Sequence, residues 1–134
     1  MGYIKHAFEP LTEELKKHIL VVDDSIVYLH TVTNILKEKY KVSSVKSGKA
    51  ALSFLLTHKP DLILLDYSMP ELSGPELFQM IRSDNAIKDI PIVFLTGVSS
   101  KEQVQTVMSL KPNGYILKEC EASELQSRIE AFFD

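Results

Sequence analysis

Four consecutive apolar residues, Leu62-Ile63-Leu64-Leu65, stand between Asp61 and Asp66 and lead into the turn-forming Ser68-Met69-Pro70. A strand that is apolar at every position has no face for water, so it belongs inside a parallel sheet covered by helices on both sides. Asp66 then stands at the carboxyl end of a central strand. That edge is where open α/β sheets bind ligands and build chemistry.

The rest of the chain alternates around this run. Ile19-Leu20-Val21-Val22 is a β-rich stretch that stops at Asp23-Asp24, and Ile26, Leu29, Val32, Thr33 and Leu36 then recur at helical spacing up to Tyr40. Val42 to Val45 read as a second strand. Ala51, Leu52, Leu55 and Leu56 mark a helix that ends before Pro60. After the third strand, Pro75 suits the first turn of a helix with Leu77, Met80 and Ile81 on its inner face. Pro91 opens a fourth strand, Ile92-Val93-Phe94-Leu95, closed by Thr96-Gly97. Ser99 or Ser100 caps a fourth helix with Val104, Val107 and Met108 as its buried stripe, the least apolar of the set. Gly114-Tyr115-Ile116-Leu117 form the fifth strand, ending at Lys118, and Ser123 caps a last helix whose Leu125, Ile129 and Phe132 face inward. Five strand-helix units in strict alternation predict an α/β fold, a doubly wound five-stranded parallel sheet of flavodoxin-like order 2-1-3-4-5.

Bulk properties restrict function more than fold. The 134 residues suit one compact domain, and 45% hydrophobic residues supply a real core. A net charge of -3 gives no basic field for nucleic acid, and no apolar run is long enough to span a bilayer. No charged stretch leads into an apolar one near Met1, so a soluble, cytoplasmic protein is expected. The single Cys120 cannot form an internal disulfide, and His6, His18, His30 and His58 lack metal-ligand spacing. Residues 1–17 read as an N-terminal extension before a unit of residues 18–134. Within it Thr12 offers a cap for a short helix with Glu13 and Glu14 in its first turn and Lys16 and Lys17 in its last, but a frayed or lightly docked leader is the preferred reading over a contact with another domain or subunit. The chain ends at Asp134, one residue past the last expected helix, so no attached effector domain is expected, whether the unit stands alone or is excised from a longer protein.

In the expected strand order the first and third strands are neighbours, and Asp23, Asp24 and Asp66 share one crevice. Taken singly, Asp24 reads as a helix cap and Asp66 as the start of a turn. Together they are harder to dismiss. Two unit charges about 4 Å apart repel by roughly 4 kcal/mol at an effective dielectric near 20, so three acids in one crevice call for a cation or raised pKa values. All-oxygen ligation with room for water and phosphate oxygens is the preference of magnesium. Thr96 ends the fourth strand with a hydroxyl and Lys118 ends the fifth with an ammonium, although alone they read as a turn residue and a surface lysine. A nucleophilic carboxylate, a divalent ion and donors for equatorial oxygens fit phosphoryl transfer onto an aspartate.

The motifs Val21-Val22-Asp23-Asp24-Ser25, Leu65-Asp66-Tyr67-Ser68-Met69-Pro70 with Gly74, Phe94-Leu95-Thr96-Gly97 and Gly114-Tyr115-Ile116-Leu117-Lys118 resemble the receiver domain of two-component response regulators over about His18 to Phe133. The resemblance implies Asp66 as phosphoacceptor, Asp24 as a direct Mg2+ ligand, Asp23 as an acid acting through water, and the Ser68 main-chain carbonyl in the metal shell, with Mn2+ as a substitute. It implies that Thr96 and Lys118 contact phosphoryl oxygens and that Tyr115 reorients on phosphorylation. It further implies a sensor histidine kinase or phosphotransfer protein as donor, and an effector protein or output domain as target. Two positions depart from the pattern. Glu119 follows Lys118 where the family usually has a cis proline, so the loop after the fifth strand is expected to be trans, and Ser73 replaces a common acid.

Three other readings fit less well. An aspartyl-phosphate hydrolase needs a second acid two residues after its nucleophile, where Ser68 stands. An FMN binder of the same fold needs a Ser/Thr/Gly-rich loop after the first strand, where Asp23-Asp24 stand. A constitutive interaction module shares the fold without the chemistry. No glycine-rich nucleotide loop is present, so a phosphoryl donor must come from outside.

Overall fold

The computed structural model describes residues 15–97 and 100–134. The proposed helix at Thr12 and the cap at Ser99 lie outside them. Five strands, β1 (His18–Val22), β2 (Lys41–Val45), β3 (Leu62–Leu65), β4 (Ile92–Thr96) and β5 (Gly114–Leu117), alternate with five helices. These are α1 (Ile26–Leu36), α2 (Gly48–Leu55), α3 (Gly74–Arg82), α4 (Lys101–Ser109) and α5 (Ala122–Phe133). All pairings are parallel, in the order β2-β1-β3-β4-β5 expected from the alternation.

The apolar runs divide between two faces because side chains alternate along a strand. Leu20, Val22, Ile63, Leu65, Ile92 and Phe94 pack with Ala51, Leu77, Ile81 and Val107, which puts α2, α3 and α4 on one face. Ile19, Val21, Leu62, Leu64, Val93 and Leu95 pack with Leu29, Val32, Leu125 and Ile129 of α1 and α5 on the other. Every residue of β3 is buried, as a central strand requires. No helix among the described residues is long and apolar enough to cross a membrane.

Helix starts follow local chemistry. Ser25, Ser47, Ser73 and Ser100 each accept a backbone N–H at the start of α1 to α4, and Ser73 with Glu76 closes a reciprocal capping box ahead of Pro75. Four expectations need correction. The cap of α5 is Glu121 rather than Ser123, because the Leu125 N–H bonds the Glu121 carbonyl and draws Ser123 into the first turn. Phe132 is 37% exposed, with its ring against Gly114 at the sheet edge, and Phe133 packs on Tyr40, so the inner stripe runs Leu125, Ile129, Phe133 at four-residue steps. In α3 Phe78 is buried and Met80 exposed. In α4 Val107 alone is buried and Met108 is 52% exposed, which leaves this helix the most lightly anchored. Ile26 and Leu56, whose spacing helped to mark their helices, are exposed at the helix ends.

Candidate functional site

Parallel register brings the acids together. Val22 pairs with Leu65, so the next residues, Asp23 and Asp66, leave adjacent strands side by side, and the Asp66 N–H is tied to the Val22 carbonyl at 3.0 Å. Asp23, Asp24 and Asp66 each present a carboxylate oxygen within 4.8 Å of the others, the only such group of potential ligands among the described residues. Asp24 is not the cap of α1, since Ser25 performs that role while its own N–H is held by Asp23 Oδ1 at 2.9 Å. Asp24 is exposed and free to serve as a ligand, whereas Asp23 and Asp66 are 1% and 5% exposed.

The two donors expected from β4 and β5 reach the same point. The Thr96 hydroxyl, 1% exposed, donates to Asp66 Oδ1 at 2.8 Å, and the Tyr67 N–H donates to that oxygen at 2.9 Å. Lys118 Nζ lies 2.6 Å from Asp23 Oδ2 and 3.6 Å from Asp66 Oδ2. Lys118 is therefore no plain surface lysine. Burial pushes the Asp66 carboxyl above its usual range, against the pull of the Thr96 hydroxyl, with Asp23 raising it further and Lys118 lowering it. Asp66, Ser68, Thr96, Gly97, Ser100, Gln103 and Lys118 line an open cavity of about 440 Å³.

Tyr115 is half-buried against the cluster around Phe94, rather than out in solvent, and its phenol is raised by burial and by Glu119. Glu119 follows Lys118 through a trans peptide, and its carboxylate lies near Gly97. Sequence reasoning missed Tyr28, whose ring centroid is 4.6 Å from Lys118 Nζ, and Ser100 and Gln103. Tyr28 had one available signal: four residues beyond Asp24, it stands one helical turn above the acids.

Gly74 shows how tightly the loop after β3 closes. Its N–H donates to the Tyr67 carbonyl at 2.8 Å, and a Cβ there would stand 2.1 Å from the Asp66 carbonyl oxygen and 2.9 Å from the Tyr67 Cα. Backbone atoms cannot swing aside as a side chain does. Gly74→Ala is expected to lose about 1–3 kcal/mol of stability through overpacking, read as a lower denaturant midpoint at unchanged slope.

The family model for the response regulator receiver domain matches residues 19–130. The chain belongs to the receiver family. It is 32% identical over 114 residues to the two-component response regulator ORR3 of Oryza sativa subsp. indica, covering 84% of this chain and 87% of that protein. It is also 37% identical over 111 residues to a probable cyclic di-GMP phosphodiesterase of Vibrio cholerae, covering 83% of this chain but 25% of that protein. This receiver domain spans a quarter of that relative. The solved receiver domain of a signal transduction histidine kinase from Syntrophus aciditrophicus matches with a TM-score of 0.81 at 30% identity, covering 87% of this chain and 89% of the other. Receiver domains are signalling modules of two-component systems and bind Mg2+ at an acidic pocket. The all-oxygen donor set of Asp23, Asp24 and Asp66 fits that ion.

Proposed function

We infer that this receiver domain is switched by phosphorylation of Asp66, with a phosphohistidine on a histidine kinase or phosphotransfer protein as the donor. The observation that carries this reading is the convergence of three carboxylates, the Thr96 hydroxyl and the Lys118 ammonium from four strand ends. In the transfer an Asp66 carboxylate oxygen forms a bond to phosphorus. The P–N bond of the donor breaks, and its electron pair returns to the imidazole, which takes up a proton. Thr96 and Lys118, already on the Asp66 oxygens, are within reach of the oxygens of a group attached there. Asp23, Asp24 and Asp66, with the Ser68 main-chain carbonyl, would hold Mg2+, or Mn2+ in its place, which supplies positive charge against the developing phosphoryl charge. Water later attacks phosphorus, the bond to Asp66 breaks, and carboxylate, phosphate and a proton are released. Activity is thus limited to the domain's own phosphorylation and dephosphorylation. Residues 18–134 form the receiver unit and 1–17 an extension to it.

Incubation with acetyl phosphate and Mg2+ tests the reading by intact mass and peptide mapping. One phosphoryl group on Asp66, abolished by EDTA, is expected. A chain that gains no mass is a constitutive interaction module instead.

Output is read through Thr96 and Tyr115 at the surface of α4, β5 and α5, which an effector protein or output domain recognises. A phosphoryl group brings about -1.5 to -2 charge and three acceptor oxygens to the Thr96 hydroxyl, drawing it inward and opening space for the Tyr115 ring. The light anchoring of α4 suits an element that moves easily. Moving a two-state balance from 1:99 to 99:1 takes roughly 5.5 kcal/mol, more than one hydroxyl contact provides, so phosphorylation shifts the balance in part and a partner completes it. Thr96→Ala is expected to accept phosphate on Asp66 yet transmit it poorly. Amide shifts on phosphorylation, concentrated between Thr96 and Cys120 in the parent, should shrink in the variant. A phosphorylated variant that binds its partner as tightly as the phosphorylated parent would sink this mechanism.

A further inference from the structure

Lys118 has three neighbours, and the proposed chemistry removes the nearest. Its ammonium is 2.6 Å from Asp23 Oδ2, 3.6 Å from Asp66 Oδ2 and 4.6 Å from the centroid of the Tyr28 ring, and its side chain is 22% exposed. A divalent cation held by Asp23, Asp24 and Asp66 draws on the Asp23 oxygens and repels the ammonium. Of its two carboxylate contacts Lys118 then keeps only the longer one, to Asp66, and a four-carbon side chain released on one side turns readily toward water.

We propose that the ring face of Tyr28 is a positioning element for Lys118, holding its ammonium beside Asp66 when a divalent cation has taken the Asp23 carboxylate. The proposal rests on the phosphorylation reading of this site. An ammonium within about 6 Å of a ring centroid is attracted by the negative face of the π-system, and more strongly in a half-buried setting than in open water. The Tyr28 side chain is half-buried. The Tyr28 N–H donates to the capping Ser25 hydroxyl at 3.2 Å, and the side chain packs on the cluster of α1 and α5. Burial, with Cys120, Asp23, Glu119 and Asp66 around it, keeps the phenol protonated, so Tyr28 offers a π face and not a charge. The plain alternative is that Tyr28 only fills space between α1 and the sheet. Leucine also fills space there, and phenylalanine keeps the face without the hydroxyl.

Parent, Tyr28→Phe and Tyr28→Leu are compared by the initial rate of phosphorylation with acetyl phosphate and Mg2+, by Mg2+ affinity, and by the ring-current shift of the Lys118 ε-methylene protons. The expected result is a Phe variant within about twofold of the parent and a Leu variant roughly five- to tenfold slower, with the Mg2+ affinity of both near the parent's. In the parent the upfield methylene shift persists on adding Mg2+. A Leu variant at the parent's rate overturns the proposal, and so does a Phe variant as slow as Leu, which assigns the effect to the hydroxyl. Should Tyr28→Leu fail to fold, loss of the parent's methylene shift on adding Mg2+ overturns it independently. A parent that forms no adduct removes the phosphorylation reading as well, and is thereby distinguished from a parent that is phosphorylated without any role for Tyr28.

Discussion

Asp66→Asn is expected to abolish the acetyl-phosphate adduct and, at neutral pH without metal, to melt at a higher temperature than the parent. The first result follows, on the proposed reading, from removing the one carboxylate that lies under both Thr96 and Lys118. An adduct of undiminished yield in the variant rejects Asp66 as the acceptor. The second follows from the sign of the pKa shift. Burial raises the Asp66 carboxyl above its unfolded value, so its contribution to stability is fully present only below that unfolded value, near pH 4, and is lost as pH rises through the raised folded value. Above that window the metal-free parent holds an unfavourable buried charge. Asparagine accepts the same Thr96 and Tyr67 hydrogen bonds without it. The excess stability of Asp66→Asn should therefore shrink as pH falls toward 4, and it should also shrink in the presence of Mg2+, whose binding stabilises the parent. Equal melting temperatures from pH 4 to 8 in EDTA would show that Asp66 carries no such cost.

The legibility of this chain was uneven for physical reasons. The strand order was readable because β3 is apolar at all four positions, which forces a central place in a covered parallel sheet, and because strict alternation then leaves few connections. The meeting of Asp23 with Asp66 followed from that order, since adjacent parallel strands end in step. Helix faces were less legible. Spacing alone assigned Phe132 and Met108 to the interior, but a helix at the sheet edge buries a narrower stripe than periodicity suggests, and the second ring of Phe132-Phe133 was the one in step with Ile129. The cap of α5 was missed because Glu121 makes no side-chain bond there, so packing of Leu125 and Ile129 sets the start of the helix. Tyr28 was missed because its spacing from Asp24 places it above the acids without showing that it meets Lys118, a side chain ninety residues further along the chain.

The variant Lys118→Ala is expected to move two properties in opposite directions. Without metal, the ammonium serves as an internal counter-ion for Asp23 and Asp66, occupying oxygens that a divalent cation would also use. Removing it takes away both a competitor and a like charge a few ångströms from the cation. Mg2+ should then bind about three- to tenfold more tightly, as titration calorimetry would measure. The phosphorylation rate should nevertheless fall by roughly a hundredfold, because a preorganised cation beside a transferring group is worth far more in the transition state than in the resting site. Stability should drop only in EDTA, by up to about 3 kcal/mol, since one-fifth exposure of the lysine side chain softens the cost of leaving two buried acids unpaired. Adding Mg2+ should restore most of that loss. A general loss of structure would instead lower metal affinity, phosphorylation rate and stability together, and weaker Mg2+ binding in a folded variant would overturn the counter-ion role of Lys118.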